Sequence, residues 1–283
     1  YSTVLAENNN LETDIVYHVR VDGNDTSDGF TEETAFRTVS KAQQTVRDIL
    51  KKKENKDKNI TVLVHGGVYE FDKSIEFDID DSGKEGIVTY KSADDGDVVF
   101  CGSVELDISK LKGIGDENIK SRLPYSSRNK VAVLDLKEQG LSENDVRITH
   151  ERGTWGHPLG VYLNNNKQNV ARWPNSGYKQ FENVISRTPG GKGPTTFEYN
   201  DSVIDSWENA DNAYIEGNMA YDWVSAWAKI DKIDTQKRQI TVTETGAYSV
   251  PTVGKRWCMV NLLEAIDIPG EYFVDEKNML LYY

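Results

Sequence analysis

The feature that most limits the fold of this chain is a series of short β-prone runs, each broken by turn-forming residues. After the first sixty residues these runs occupy residues 60–64, 75–79, 87–91 and 98–101. Glycine, aspartate and serine separate them at intervals of roughly ten residues, a spacing typical of β-sandwiches and barrels and also of the coils of a β-solenoid. The pattern predicts a mainly β chain, and the spacing alone leaves the choice among these architectures open.

One amphipathic helix precedes these runs. Its apolar residues recur at steps of three and four: Phe36, Val39, Ala42, Val46, Ile49 and Leu50. Ser40 with Gln43 fits a capping box, although the helix could equally start at Thr38. Residues 51–53 are all lysine and stand at the expected C-terminal end of the helix, where the helix dipole favours cations. The sequence therefore predicts a single helix that ends near residue 50.

The second half of the chain contains a boundary and a series of hairpins. Residues 106–130 are rich in loop-forming residues, which indicates a connection into a second β unit. The Asn-rich turn at 164–167 predicts a hairpin between residues 160–163 and 170–173. Residues 221–227 alternate Tyr, Trp, Ser and Trp, which predicts a strand with its aromatic side chains in a core.

Two further hairpins are predicted at residues 230–242 and 271–283. The last strand of the second one reaches residue 283 without a polar cap or a closing turn. We therefore expect the sequence to belong to a longer protein.

Charge and composition exclude several function classes. The chain has 33 basic and 46 acidic residues and a net charge of -13, which disfavours a nucleic-acid partner and an anionic membrane surface. No run approaches the roughly 18 apolar residues that a membrane-spanning helix needs. Cys101 and Cys258 are far apart, which argues against a disulfide framework, and we interpret both as buried small apolar residues.

The histidines and acidic residues give no strong indication of a metal site. The four histidines lack metal-ligand spacing: His18, His65, His150 and His157. The acidic turn at residues 22–28 lacks the glycine of an EF-hand, so ordinary turn chemistry is the better interpretation. We therefore expect no metal and no cofactor.

Four stretches carry a family resemblance: Val-Asp-Gly-Asn-Asp-Thr-Ser-Asp-Gly at 21–29, Val-His-Gly-Gly-Val-Tyr at 64–69, Ala-Arg-Trp-Pro-Asn at 171–175, and residues 262–272. Together they resemble carbohydrate-active enzymes built on a right-handed parallel β-helix, in particular glycoside hydrolases of the xylosidase and fucosidase type. The resemblance implies the start of such a β-helix with an N-terminal capping helix, plus an inserted β-sandwich-like domain. An amphipathic helix suits that role because it covers the apolar surface and backbone edges of the first coil.

With the turn pattern, the resemblance gives four segments. Residues 1–13 form a disordered leader, and residues 14–105 form the capping helix and the first β-helix coils. The β-sandwich-like domain occupies residues 106–255. Residues 256–283 are a return segment leading into further β-helix.

The resemblance also implies a function. The chain is expected to be the N-terminal portion of a glycoside hydrolase acting on oligo- or polysaccharides, located extracellularly or at the cell surface. The catalytic carboxylates are then expected beyond residue 283, so that this chain alone is inactive. Its partners are carbohydrate and the remaining C-terminal β-helix of the same polypeptide. A β-helical polysaccharide lyase and a non-catalytic carbohydrate-binding or adhesive module remain as alternatives.

Aromatic residues supply most of the candidates for substrate binding. Tryptophan and tyrosine rings stack on sugar C–H groups while their polar tips donate hydrogen bonds. On this basis we select five residues: Trp155, His157, Arg172, Trp173 and Trp223. For Trp223, a place in a core strand is the simpler interpretation. Glu264, Asp267 and Glu271 are considered as acid–base groups, with capping and hairpin roles favoured.

Overall fold

The computed structural model describes residues 14–148, 150–151, 154–155, 159–207 and 211–283, with only the backbone described for 150–151 and 154–155. The predicted leader, residues 1–13, lies outside this part of the chain. The chain divides into two compact units, the first ending at Glu105 and the second beginning at Leu106. Among the helices of the described residues, none is long and apolar enough to cross a lipid bilayer.

In its described residues, the first unit contains five strands and one α-helix: β1 (Ile15–Val19), α1 (Val39–Leu50), β2 (Ile60–Val64), β3 (Gly67–Glu70), β4 (Val88–Ser92) and β5 (Val98–Cys101). The predictions for residues 60–64 and 98–101 are confirmed, and that for 87–91 is confirmed to within one residue. Short 3-10 helices lie at Lys53–Asn55 and Ile79–Asp81.

Strands of the first unit pair in parallel. β1, β2 and β4 lie side by side in chain order, with Ile15 opposite Ile60 and Ile60 opposite Val88. β3 and β5 form a second parallel pair. Because side chains alternate between the two faces of a strand, Ile60, Val62 and Val64 share one buried face.

The helix α1 covers that apolar core with one stripe of its surface. Val39, Ala42, Val46 and Leu50 are buried against β1 and β2. Thr38 is the N-cap, and its hydroxyl accepts a hydrogen bond from the Lys41 amide at 3.1 Å. The capping box predicted from Ser40 and Gln43 is wrong because the Gln43 side chain is buried and donates to the Glu76 carbonyl at 2.8 Å.

The predicted strand at residues 75–79 is also wrong. Side chains of α1 take the place of a neighbouring strand, since both Gln43 and Arg47 donate to the Glu76 carbonyl. Arg47 then holds the buried carboxylate of Asp81 through two hydrogen bonds, at 2.8 Å and 2.7 Å. These contacts keep the segment extended beside the helix.

The second unit, over the residues that the structure describes, is built from seventeen strands, most of them short, and two short α-helices. The elements before residue 160 are β6 (Lys112–Gly113), α2 (Glu117–Arg122), β7 (Ala132–Asp135), α3 (Glu143–Val146), β8 (His150–Glu151) and β9 (Thr154–Trp155). The next are β10 (Tyr162–Leu163), β11 (Asn166–Lys167), β12 (Asn169–Val170), β13 (Arg172–Trp173), β14 (Lys179–Gln180), β15 (Val184–Arg187) and β16 (Thr195–Glu198). The last are β17 (Tyr214–Gly217), β18 (Ala226–Asp234), β19 (Gln239–Val242), β20 (Arg256–Val260), β21 (Glu271–Asp275) and β22 (Leu280–Tyr282). Further 3-10 helices are Ile108–Lys110, Pro189–Gly191, Ser202–Ser206 and Leu263–Ala265.

Two larger sheets share the main core of this unit. One has the order β12-β21-β22-β7-β6, and the other runs β13-β20-β17-β18-β19-β16-β15 with β14 also paired to β20. Phe273 and Tyr282 of the first sheet lie in one cluster with Ile215 and Met259 of the second. The prediction of a mainly β chain is confirmed. Residues 256–283, predicted as a return segment, contribute β20, β21 and β22 to these sheets.

The three predicted hairpins have different outcomes. Asn164 and Asn165 adopt positive φ angles of 49° and 61°, as a tight hairpin turn requires. The turn is confirmed, but the strand that pairs with β10 is β11 and not residues 170–173. The predicted hairpin at residues 230–242 is confirmed by β18 and β19, and the one at 271–283 by β21 and β22.

Both cysteines are free thiols. Cys258 is buried as expected, whereas Cys101 is only half-buried.

Candidate functional site

Three exposed aromatic rings form a cluster on the second unit. Tyr221, Trp223 and Tyr248, which we call the aromatic platform, have exposed fractions of 48%, 72% and 62%. The ring centroids of Tyr221 and Trp223 are 5.6 Å apart, and those of Trp223 and Tyr248 are 5.7 Å apart. Large apolar side chains grouped on a surface mark interaction sites, whereas single exposed ones are ordinary.

The loop between β17 and β18 carries Tyr221 and Trp223. The side-chain amide of Asn218 donates to the carbonyls of Asp222 at 3.1 Å and Val224 at 3.0 Å, closing the loop at its base. Arg256 Nε in β20 donates to Asn218 Oδ1 at 2.9 Å. The platform therefore stands on a loop that is fixed to the sheet beneath it.

A second loop, between β19 and β20, carries Tyr248. The Gly191 carbonyl accepts hydrogen bonds from the amides of Thr245 and Gly246, at 3.0 Å and 3.2 Å. Gly191 has a φ of +64°, and a Cβ there would lie 2.3 Å from the Gly246 carbonyl oxygen, so only glycine suits this approach. The Thr252 amide donates to the Met219 carbonyl at 3.0 Å, which joins the second loop to the first.

Asp222, which stands between Tyr221 and Trp223 in the sequence, forms an ion pair. Lys255 Nζ is 3.1 Å from Asp222 Oδ1, and the Asp222 carboxylate is mostly exposed. Flat rings bordered by exposed hydrogen-bonding groups suit a sugar, whose ring has apolar C–H faces and hydroxyls at its edge.

Arg172 supports a different surface ring. Its guanidinium donates to the carbonyls of Asn175 at 3.3 Å and Gly177 at 2.8 Å, and its Cζ lies 5.4 Å from the Tyr178 ring centroid. Arg256 approaches the same ring at 5.2 Å. Arg172 thus braces the turn after β13 and is not part of the platform.

Trp173 belongs to a group of packed aromatic rings. Its ring centroid is 5.4 Å from that of Trp207 in an edge-to-face contact and 6.1 Å from that of Trp257. Lys179 Nζ lies 5.2 Å above the ring. The adjoining cavity holds about 50 Å³, which has room for a water molecule but not for a sugar ring.

The other two candidates have no described side chains. Trp155 lies in the short strand β9, of which only the backbone is described, and His157 lies outside the described residues. Of the three selected residues whose side chains the structure describes, only Trp223 lies on the platform.

Two residues of the platform were not predicted correctly from the sequence, Trp223 and Tyr248. The core interpretation of Trp223 is wrong because residues 221–224 form a turn, and the buried tryptophan of this stretch is Trp227, which is 4% exposed. Tyr248 was missed, since nothing in its neighbourhood distinguishes it from any surface tyrosine. Only the folded loops bring it to Trp223.

The three acidic residues considered for acid–base chemistry accept hydrogen bonds from other residues of the second unit. Glu271 is buried and accepts hydrogen bonds from the amides of Asp267 and Ile268, at 3.0 Å and 3.2 Å. Glu264 is buried and accepts one from Arg122 Nε at 2.7 Å. Burial raises the pKa of both carboxyls. Asp267 accepts a hydrogen bond from the Asn175 amide at 2.7 Å.

The first unit has an apolar groove of about 750 Å³ along its last parallel strands. Phe71, Phe77, Tyr90 and Phe100 are among its lining residues. Phe77 and Phe100 are exposed, and the buried hydroxyl of Tyr90 makes no hydrogen bond to a described residue. The lining also includes polar residues: Asp72, Lys73, Ser74, Lys91 and Ser92. The exposed rings beside the edge strands β4 and β5 resemble the uncovered face of a core.

No protein-family model and no curated protein matches this sequence. Among solved structures, one described as "Glycoside hydrolase" is similar at a TM-score of 0.65 and 17% sequence identity, covering 95% of this chain and 43% of that chain. A second, "The complex structure of XylC with xylose", matches at a TM-score of 0.31 and 15% identity, covering 92% of this chain and 33% of that one. This chain therefore shares its fold with part of the first structure and spans less than half of that protein's length.

Proposed function

We propose that this protein acts on carbohydrates and that a sugar ring stacks on the aromatic platform. The observation that carries this proposal is the exposure of three neighbouring rings, led by Trp223 at 72%, on loops that are hydrogen-bonded in place. A preformed aromatic surface binds a sugar without first ordering the loops, which preserves binding free energy. The fold shared with a protein described as "Glycoside hydrolase" supports the same class of ligand.

The parallel strands of the first unit are, in this proposal, the opening coils of a right-handed parallel β-helix. Two features support it: β1, β2 and β4 stack in chain order, and α1 covers the buried side of these strands. The apolar groove beside β4 and β5 is then the surface on which the next coil packs. A coil there would pair the free edges of the strands and cover Phe77 and Phe100.

The reaction we propose is glycoside hydrolysis by a pair of carboxylates, one acting as acid and the other as base or nucleophile. Glu264 is buried beside Arg122 and Glu271 is buried under two backbone amides, so neither is accessible to a sugar, and we assign the reacting pair to β-helix coils that follow residue 283. The proposal places the enzyme outside the cell or on its surface, where polymeric glycans are accessible.

Glycan binding by Trp223 variants tests the platform. The 283-residue chain is applied to a glycan array, and the dissociation constant for the best ligand is then measured. Trp223→Ala is expected to weaken binding about 30-fold, because a central aromatic anchor carries much of the binding free energy. Its melting temperature should stay within about 2 °C of the wild type, since the ring is mostly exposed.

Tyr125→Ala serves as the matched control. Tyr125 is 90% exposed and lies outside the platform, so its removal should leave both binding and melting temperature unchanged. Equal affinity of Trp223→Ala and the wild type for every glycan would overturn the platform proposal.

The hydrolase proposal has a separate test. The chain extended by its downstream coding sequence should hydrolyse aryl glycosides, whereas residues 1–283 alone should bind but not cleave them. Turnover by the 283-residue chain alone would contradict our assignment of the carboxylates. Binding without turnover by the extended protein would favour a non-enzymatic binding module.

A further inference from the structure

One edge of the parallel sheet in the first unit brings three potential metal ligands together. His18 is the fourth residue of β1, His65 directly follows β2, and Glu32 lies in the loop between β1 and α1. A ring nitrogen of each histidine and a carboxylate oxygen of Glu32 all lie within 4.8 Å of one another. His18 Nδ1 is 2.9 Å from His65 Nε2.

A fourth residue fixes the orientation of His65. Asp95 follows β4, and its carboxylate accepts hydrogen bonds from His65 Nδ1 at 2.5 Å and from the Gly66 amide at 2.9 Å. A proton held on Nδ1 leaves the Nε2 lone pair as an acceptor, and His18 Nδ1 donates a hydrogen bond to it at 2.9 Å. Because His65 is 5% exposed, its ring has little freedom to turn away. A carboxylate behind an imidazole is the usual outer-shell arrangement of a histidine metal ligand.

The charges around the histidines favour a cation. Four carboxylates lie near the two rings, against one guanidinium from Arg20: those of Asp22, Glu32, Glu33 and Asp95. Arg20 lies 3.0 Å from Asp22 and 3.2 Å from Glu32, so it neutralises only part of this group. The remaining negative charge attracts a divalent ion.

We propose that His18, His65 and Glu32 bind a divalent transition-metal ion of the Zn²⁺ type, with water completing a tetrahedral shell and Asp95 orienting His65. Metal binding would replace the hydrogen bond between His18 Nδ1 and His65 Nε2: its proton leaves to solvent, and the two nitrogens move from 2.9 Å to the roughly 3.3 Å expected for two ligands of one tetrahedral Zn²⁺. The bound ion links the loop after β1 to the ends of β1 and β2. This site is independent of the aromatic platform and of the proposed hydrolase activity.

Sequence spacing did not reveal this group. His18 and His65 are 47 residues apart, and Glu32 lies between them without any regular interval. Parallel pairing of β1 with β2 is what brings the two rings together, since it sets both strands in the same direction and register.

Zinc binding by the full chain tests the proposal. The protein is treated with a chelator, dialysed against ZnCl₂ and assayed for bound metal and melting temperature. The wild type is expected to bind one equivalent that His18→Ala does not bind, and its melting temperature should rise on zinc addition. Glu32→Gln, at an exposed position, should weaken binding at least about tenfold and keep the fold.

Glu54→Gln is the matched control, because it removes the same charge from an exposed residue just after α1 and leaves the ligand set and its surrounding charges intact. It should retain the wild-type zinc affinity. The proposal is overturned if the wild type binds no zinc at about 100-fold excess over the protein. It is also overturned if His18→Ala and Glu32→Gln bind zinc as tightly as the wild type does.

Discussion

The second unit contains two groups of aromatic rings that differ greatly in burial and little in the distances between their rings. In the inner group, Phe181, Phe197 and Trp257 have ring centroids 4.8 to 5.9 Å apart. In the aromatic platform the separations are 5.6 to 6.3 Å. The three inner rings are at most 2% exposed, whereas those of the platform are about half exposed or more. Ring contact alone therefore does not distinguish an aromatic that stabilises the fold from one that is available to a ligand.

The largest expected effect concerns the inner group. Trp257→Ala should lower the free energy of unfolding by about 3–5 kcal/mol, because it removes a fully buried ring and leaves a cavity among Trp173, Phe181 and Phe197. Denaturant unfolding followed by circular dichroism measures the change. A loss below about 1 kcal/mol would mean that the inner rings do not form a tightly packed core, and the contrast with the platform would disappear.

A smaller effect extends the comparison to tyrosine hydroxyls. Tyr272 is buried in β21 and donates to the Leu159 carbonyl at 2.6 Å, and burial raises the pKa of its hydroxyl to about 12. An acid whose pKa is raised by folding contributes stability that is present below the unfolded pKa near 10 and is lost as the pH rises through about 12. The wild type should therefore lose about 1 kcal/mol more than Tyr272→Phe between about pH 9 and pH 11.

Unfolding midpoints at about pH 9, 10 and 11 for the two proteins measure this difference. Parallel pH profiles would show that the Tyr272 hydroxyl ionises in the folded state as readily as an exposed one. In that case burial would not raise the pKa of the Tyr272 hydroxyl.

The contrast between buried and exposed rings also shows which parts of the fold could be predicted from the sequence. The apolar run of β2 and the apolar stripe of α1 follow from residues close together in the chain, and both are present. The alternation at residues 221–227 is also regular, yet Asn218 closes that stretch into a turn and Trp223 is exposed. Local periodicity reports which residues share a face. It does not report whether a distant side chain, such as Arg256 on Asn218, converts a strand into a loop.

The same limit applies to both proposed sites. Tyr248 and Trp223 meet because a hydrogen bond from Thr252 to Met219 joins two loops, and His18 and His65 meet because two strands pair in parallel. Neither juxtaposition has a sequence interval that could have predicted it. By contrast, Trp223 could be selected in advance, because its residue type alone suits sugar stacking.

The smallest expected effect tests whether the platform is a surface or the edge of a core. Tyr248→Ala removes ring contacts with Tyr221 and Trp223 but little buried area, so unfolding should become easier by only about 0.5 kcal/mol. Fluorescence should respond nonetheless, since Trp223 loses a neighbouring ring, whereas Tyr125→Ala should change neither quantity. A loss of stability approaching that of Trp257→Ala would place Tyr248 in the core and remove the distinction on which the platform rests. A small loss accompanied by weaker glycan binding would instead show that these loops hold their rings for a ligand, because the fold itself gains little from them.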